Sequence, residues 1–186
     1  MMDVRWNILK TQRIERLFKI LVMVISFINV PSCLLAQNSR KSWLESHNIA
    51  RAEVGVKPLQ WDKNLESLAR KYVNKYIAHC QMAIQQFPHF QEIYGQNLAY
   101  TLKVNVTIAT AVAKAWVSQK ENYDYKSNKC INGDPFSCRA YVQVVWGATT
   151  HLGCAKVNCH NKEGTLFTCY YYPGGDMEGK RPYSLH

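Results

Sequence analysis

Apolar residues recur at three- and four-residue steps at Leu65, Leu68, Ala69, Tyr72, Val73, Tyr76 and Cys80. That spacing is one face of an α-helix, and Asp62 just ahead of it offers an oxygen to the first free backbone N–H groups. The pattern predicts a helix from 62 to 80. A second helical face runs from Ser39 to Val54, with Trp43, Leu44, His47, Ala50 and Val54 on one side and Gly55 as its stop. A third, from near Thr107 to near Tyr123, gathers Ala109, Val112, Ala113, Trp116 and Val117. Gln81 to Tyr100 is mixed, holds Pro88 and Gly95, and reads as a loop with a short helix. Beyond Cys138 the texture changes to β-rich runs: Tyr141 to Trp146, Gly153 to Cys159 and Thr165 to Tyr172. The last two are joined by a hairpin loop over 160–164. Helices followed by strands, without regular alternation, predict an α+β layered domain. Pro173-Gly174-Gly175-Asp176 ends the last strand, so the tail from 173 to 186 is expected along the surface.

The N-terminus changes the picture of what is mature protein. A basic lead-in ends at Arg16-Leu17-Phe18-Lys19, and an apolar stretch from Ile20 to Val30 runs into Pro31-Ser32-Cys33-Leu34-Leu35-Ala36. This is the order of a secretory signal peptide, 1–36, and the apolar run falls well short of the about 20 residues of a membrane span. The mature protein is therefore expected without a transmembrane segment. Cys33 leaves with the signal, and six cysteines remain: Cys80, Cys130, Cys138, Cys154, Cys159 and Cys169. An even number in a secreted chain implies three disulfides; proximity alone suggests only Cys130 with Cys138. The formal charge of the whole chain is +10. Without the first 36 residues, which hold five of the bases and two of the acids, it is +7. The bases are scattered, with no run dense enough for nucleic acid, and fit loose attraction to anionic surfaces. Asn105-Val106-Thr107 is an acceptor sequon for an N-linked glycan on Asn105.

Five stretches, taken together, carry a resemblance: H-N-I-A-R-A-E-V-G-V-K-P-L-Q-W-D (47–62), Y-G-Q-N-L-A (94–99), W-V-S-Q-K-E-N-Y-D-Y (116–125), C-R-A-Y-V-Q-V-V-W (138–146) and G-C-A-K-V-N-C (153–159). The chain resembles the plant pathogenesis-related protein 1 family of the CAP (SCP) superfamily from Ser39 to Tyr183. The resemblance implies a three-layer α-β-α sandwich over 37–172, stapled by disulfides that include Cys80 with Cys159 and Cys154 with Cys169. It also implies a cleft of two histidines and two glutamates. Matched by motif, the first histidine is His89; the glutamates are Gln96 and Gln119, and the second histidine is Ala140. One member of four is kept. A carboxylate can take a proton or offset a metal's charge, whereas a carboxamide does neither at ordinary pH. No metal or cofactor is expected at such a cleft, and no catalytic residue is assigned.

The function these residues support is binding rather than catalysis. The family is associated with sterol or lipid binding and, in some plants, with a C-terminal defence peptide acting on a receptor. The tail Pro173-Gly174-Gly175-Asp176 to Pro182-Tyr183 resembles that peptide, with Asp176 where asparagine is usual. The expectation is a monomeric, secreted defence or signalling protein of the apoplast, with the vacuole as a second compartment. Two other readings stand beside it. One is a hydrolase using His89 with a displaced carboxylate such as Glu92, Glu121 being disfavoured because it lies two residues from Gln119 and faces elsewhere. The other is a structural or antimicrobial protein of the cell wall. His47 and His151 are expected to be structural or exposed.

Overall fold

The computed structural model describes residues 39–85, 93–102, 108–160, 164–175 and 179–184. The predicted signal peptide, His89, Glu92, Asn105 and the middle of the tail fall outside them. Helix α1 (Arg40–Glu53) starts at Ser39, whose side chain accepts from Ser42 N, and buries Trp43, His47, Ala50 and Arg51. Strand β1 (Gln60–Trp61) leads into α2 (Lys63–Lys75), where the Asp62 carboxylate accepts from the Asn64 and Leu65 amides at 2.6 and 3.0 Å. Leu65, Ala69 and Val73 form its buried stripe. The predicted single helix from 62 to 80 is in fact two, because the backbone leaves the helix at Tyr76 and α3 (Cys80–Gln85) begins afresh. Both helices bury residues in one cluster, Leu65, Ala69, Val73 and Tyr76 with Cys80 and Ala83. One continuous apolar period therefore concealed the break.

Two further expectations are corrected. Gly95 to Tyr100, read as loop, belongs to strand β2 (Gly95–Leu102), paired antiparallel along its whole length with β6 (Gly164–Tyr172), from Gly95 opposite Tyr171 to Leu102 opposite Gly164. Glycine, glutamine and asparagine have poor strand propensity, and the pairing overrides it. Tyr141 to Trp146, read as a central strand, belongs to helix α5 (Phe136–Val144) and the turn after it. All six of those residues are buried, so no period distinguishes helix from strand. The helix is set instead by its start: Pro135 takes a helical φ of −63°, and the Asp134 side chain accepts from Phe136 N at 2.9 Å. The predicted third helix is α4 (Ala109–Ser118), closed by a 3₁₀ turn at Gln119–Asn122.

The main sheet has the order β1, β5 (His151–Asn158), β6, β2, with β1 parallel to β5 and the other pairs antiparallel. A small ribbon joins β3 (Tyr123–Asp124) to β4 (Lys129–Cys130). Side chains alternate across β6. Leu166 and Tyr170 pack with α2 and α3, whereas Phe167, Cys169 and Tyr171 pack with Trp43, Val112, Trp116 and Tyr141 of α1, α4 and α5. Helices thus cover both faces, which is the α-β-α sandwich. At Gly153 of β5 an added Cβ would lie 2.1 Å from Glu66 N, so α2 rests directly on the strand there. The three disulfides join Cys80 to Cys159, Cys130 to Cys138 and Cys154 to Cys169, including both bridges that the resemblance implied. No helix among the described residues is long and apolar enough to cross a membrane.

Candidate functional site

The edge strand β2 leaves a gap between α3 on one side and α4, the 3₁₀ turn and α5 on the other. The gap is a cleft of about 380 Å³. Gln96 from β2, Gln119 from the 3₁₀ turn and Ala140 from α5 all line it. Three positions far apart in the chain and matched by motif alone therefore meet at one place. His89 and Glu92 lie outside the described residues, and Glu121 is exposed and is not among the lining residues.

Each carboxamide is engaged. Gln119 Oε1 accepts from the Ala140 backbone N–H at 3.0 Å, tying the 3₁₀ turn to α5. Gln96 Nε2 donates to Thr168 Oγ1 at 2.9 Å. Thr168 spends its own hydrogen on Asn97 O, also at 2.9 Å, so it can only accept from Gln96. This fixes the amide with nitrogen toward β6 and leaves Gln96 Oε1 buried without a hydrogen-bond partner among the described residues.

Behind the cleft floor runs a buried polar chain whose members the sequence reading did not link. Asn97 Nδ2 donates to Ala140 O and to Tyr171 Oη, both at 3.0 Å. Tyr171 Oη lies 2.9 Å from His47 Nε2, and His47 Nδ1 lies 2.7 Å from Trp43 O. A carbonyl can only accept, so Nδ1 carries the proton and Nε2 accepts from the phenol. His47 is thus structural, as expected, and wholly buried. Asn97 stood inside a quoted motif without a role. The only trace of it in the sequence is an amide on a strand that buries it.

Burial lowers the His47 pKa to about 4, while the Trp43 carbonyl pulls it back upward. In the unfolded chain the imidazole titrates near 6.5, so the unfolded state binds the extra proton between these values. The contribution of neutral His47 is complete above pH 6.5 and is lost as pH falls toward 4. Urea unfolding should show a loss of about 2 to 3 kcal/mol between pH 7 and 4.5 from this group. His47→Gln should flatten that slope. An unchanged slope in the variant would refute the assignment.

The tail docks at Gln143, one turn farther along α5 than Arg139 and Ala140. Gln143 Oε1 accepts from Gly175 N at 2.9 Å, and its Nε2 donates to Thr149 Oγ1, which donates to Pro173 O at 2.8 Å. Gly95 makes room for this: an added Cβ would lie 1.9 Å from Gln143 Oε1. Farther along, Pro182 is buried and its carbonyl accepts from Gly147 N at 2.6 Å. Tyr183 stacks on Tyr125 with ring centroids 5.1 Å apart.

Among the described lining residues Arg139 alone carries an ionisable group. Those residues can hydrogen-bond and offer apolar contact, but none can move a proton near neutral pH. The donor set does not fit the zinc or copper of a metal cleft, which needs three or four imidazole, thiolate or carboxylate ligands. No group of three such side chains occurs among the described residues.

Residues 44–171 match the model of the cysteine-rich secretory protein family, CAP. The chain is 38% identical over 166 residues to pathogenesis-related protein 1B of Nicotiana tabacum, covering 89% of this chain and 94% of the relative. It is 37% identical over 175 residues to pathogenesis-related protein 1 of Arabidopsis thaliana, covering 94% of this chain and 100% of the relative. Venom allergen-like protein 4 of Schistosoma mansoni has a similar solved structure, with TM-score 0.58, 27% identity and coverage of 78% of this chain and 94% of that one.

Proposed function

This chain belongs to the cysteine-rich secretory protein (CAP) family and is similar to pathogenesis-related protein 1, and we propose from that premise that it is a secreted defence protein working by binding. Its cleft holds a sterol, lipid or similar small molecule without transforming it. One observation carries the reading. The two positions where the family has glutamates are carboxamides that form hydrogen bonds within an intact cleft, Gln119 to the α5 backbone and Gln96 to Thr168. A decayed site would be expected to lose its shape along with its charge; this one keeps its shape.

Zinc titration calorimetry of the purified protein should give no saturable heat at micromolar concentrations, and mass spectrometry of the native protein should find a retained small lipid. Tight zinc binding abolished by His89→Ala, or an ester or peptide turnover abolished by it, would overturn the reading in favour of the hydrolase. Salt-sensitive retention on anionic polymers, with no saturable small ligand, would favour the wall protein.

The docked tail weighs against the releasable peptide. Cleavage between Tyr172 and Pro173 must free a carbonyl that accepts from Thr150 N at 2.9 Å, and must strip Gly175 from Gln143. A packed terminal segment is the reading we adopt for the described tail residues, 173–175 and 179–184.

A further inference from the structure

We propose that the cleft receives a short extended peptide segment, which pairs as a fifth strand with the open edge of β2. The proposal keeps from the reading above only that the cleft binds without chemistry, and goes beyond it by naming a peptide as the partner. Three observations carry it.

The first is topology. β2 stands at the end of the main sheet, with β6 on one side and no strand on the other among the described residues. The second is which backbone groups face that open side. In an antiparallel ladder the hydrogen-bonding direction alternates residue by residue. Cys159 N donates to Gly164 O at 2.9 Å, and this sets the phase: Leu166, Thr168 and Tyr170 turn toward β5, whereas Thr165, Phe167, Cys169 and Tyr171 turn toward β2. Opposite the latter four stand Thr101, Ala99, Asn97 and Gly95. Gln96 and Leu98, lying between, therefore turn their N–H and C=O groups outward. Burial agrees, since Gly95 and Asn97 are buried and Gln96 and Leu98 only half-buried. No hydrogen bond joins those outward groups to a described residue. Farther along, Tyr100 and Thr101 are engaged elsewhere, so the open stretch is Gln96 to Leu98.

The third is what flanks the edge. Gln96, Asn97 and Leu98 line the cleft as consecutive residues, with Ile84 of α3 from one helical layer and Trp116 of α4 and Phe136 of α5 from the other. The cleft thus opens onto the edge of the sheet and not onto one of its faces. A strand added there sends alternate side chains to the two layers, toward Ile84 and Leu98 on one side and Trp116 and Phe136 on the other. Ile84 and Phe136 are 44% and 48% exposed, so apolar surface awaits on both sides. An unpaired edge is a template for a further strand, in which main-chain bonds supply affinity and alternating side chains supply selectivity. The occupant is a single segment. A second copy has only its own β2, set between helices, and the two-residue β1 to offer as sheet edges. The partner is therefore an extended stretch of another polypeptide, with β-branched or aromatic side chains and no proline at the paired amides.

The test uses the mature, disulfide-bonded protein and the capped peptide acetyl-Lys-Ile-Val-Phe-Val-Thr-amide. In the free protein, amide exchange read by NMR should be about tenfold or more faster at Gln96 and Leu98 than at Asn97, whose N–H faces β6. The peptide should bind saturably at about 100 µM or tighter, followed by tryptophan fluorescence, and should slow exchange at Gln96 and Leu98 by about tenfold or more without changing Asn97. Two N-methylated forms of the peptide, each blocking one alternating set of amides, should differ: one loses about tenfold or more in affinity and the other does not. Gln96→Pro removes an outward N–H, which an edge strand tolerates, and should abolish binding. Its melting curve is the folding control, and the exchange and N-methyl measurements decide the matter if the variant does not fold.

Gln96 and Leu98 amides as slow as that of Asn97 in the free protein would show the edge already covered and overturn the proposal. Equal binding of both methylated peptides, or binding that leaves the two amides unprotected, would overturn it too. A retained sterol or lipid with no affinity for the peptide would overturn this proposal alone and leave the reading above intact. Hydrolysis of the peptide that depends on His89 would remove both.

Discussion

Replacing Arg51 by methionine is expected to destabilise the folded chain by about 4 to 5 kcal/mol, lowering the melting temperature by roughly 10 to 20 °C. Arg51 is fully buried and has no carboxylate among its hydrogen-bond partners. Its Nε donates to Lys57 O at 2.7 Å, one terminal nitrogen to Val144 O and Trp146 O, and the other to Thr149 O, all three at 2.9 Å. Four backbone carbonyls, one from the loop after α1 and three from the last residue of α5 and the segment after it, thus converge on one planar group. Burial lowers its pKa only to about 10, so the charge persists at neutral pH. Methionine fills a similar volume and takes the Arg51 donors away from all four oxygens; Trp146 O keeps the Thr149 amide at 3.0 Å, and the loss at the others is an unfavourable burial. Lysine keeps the charge but lacks the planar fork, and should recover about half of the loss. Calorimetric melting of the two variants separates charge from geometry. A drop under about 1 kcal/mol for methionine would show that water replaces the guanidinium, and that the loop carrying Trp146 does not depend on it.

Opening the Cys80–Cys159 bridge by the double substitution to serine should cost about 4.5 kcal/mol, a large fraction of the about 5 to 15 kcal/mol by which a folded domain is stable. The bridge closes a loop of 79 residues, whereas Cys130–Cys138 closes one of 8 and is expected to contribute about 2.5 kcal/mol. The consequence reaches the cleft. Cys80 is the first residue of α3, and the same short helix carries Ile84 and Gln85 along the cleft wall. Urea titration should show the two bridges in that order of stability. Hydrogen exchange should show α3 opening first in the Cys80–Cys159 variant. The reverse order, or an α3 as protected as before, would refute the assignment.

Much of this fold was legible because most of its elements have one wet face. α1, α2 and α4 bury a stripe and expose the rest, and that contrast is what periodicity records. Where the contrast vanishes the reading failed. Tyr141 to Trp146 is buried throughout, and a β-branched, aromatic composition pointed to a strand where Asp134-Pro135 starts a helix. β2 failed for the opposite reason, since Gly95, Gln96 and Asn97 disfavour a strand and adopt one only because β6 lies alongside.

The sequence by itself determined the cysteine framework, the family, and the replacement of ionisable groups by amides at Gln96 and Gln119, because identity and spacing are local properties of a chain. Only the tertiary structure decided what those amides do. Gln96 meets Thr168 across 72 residues, Asn97 meets Tyr171 across 74, and Tyr171 meets His47 across 124. A hydrogen bond acts over about 3 Å, so which groups are satisfied, which oxygen is left orphaned and which histidine stays neutral are settled when distant segments are brought together.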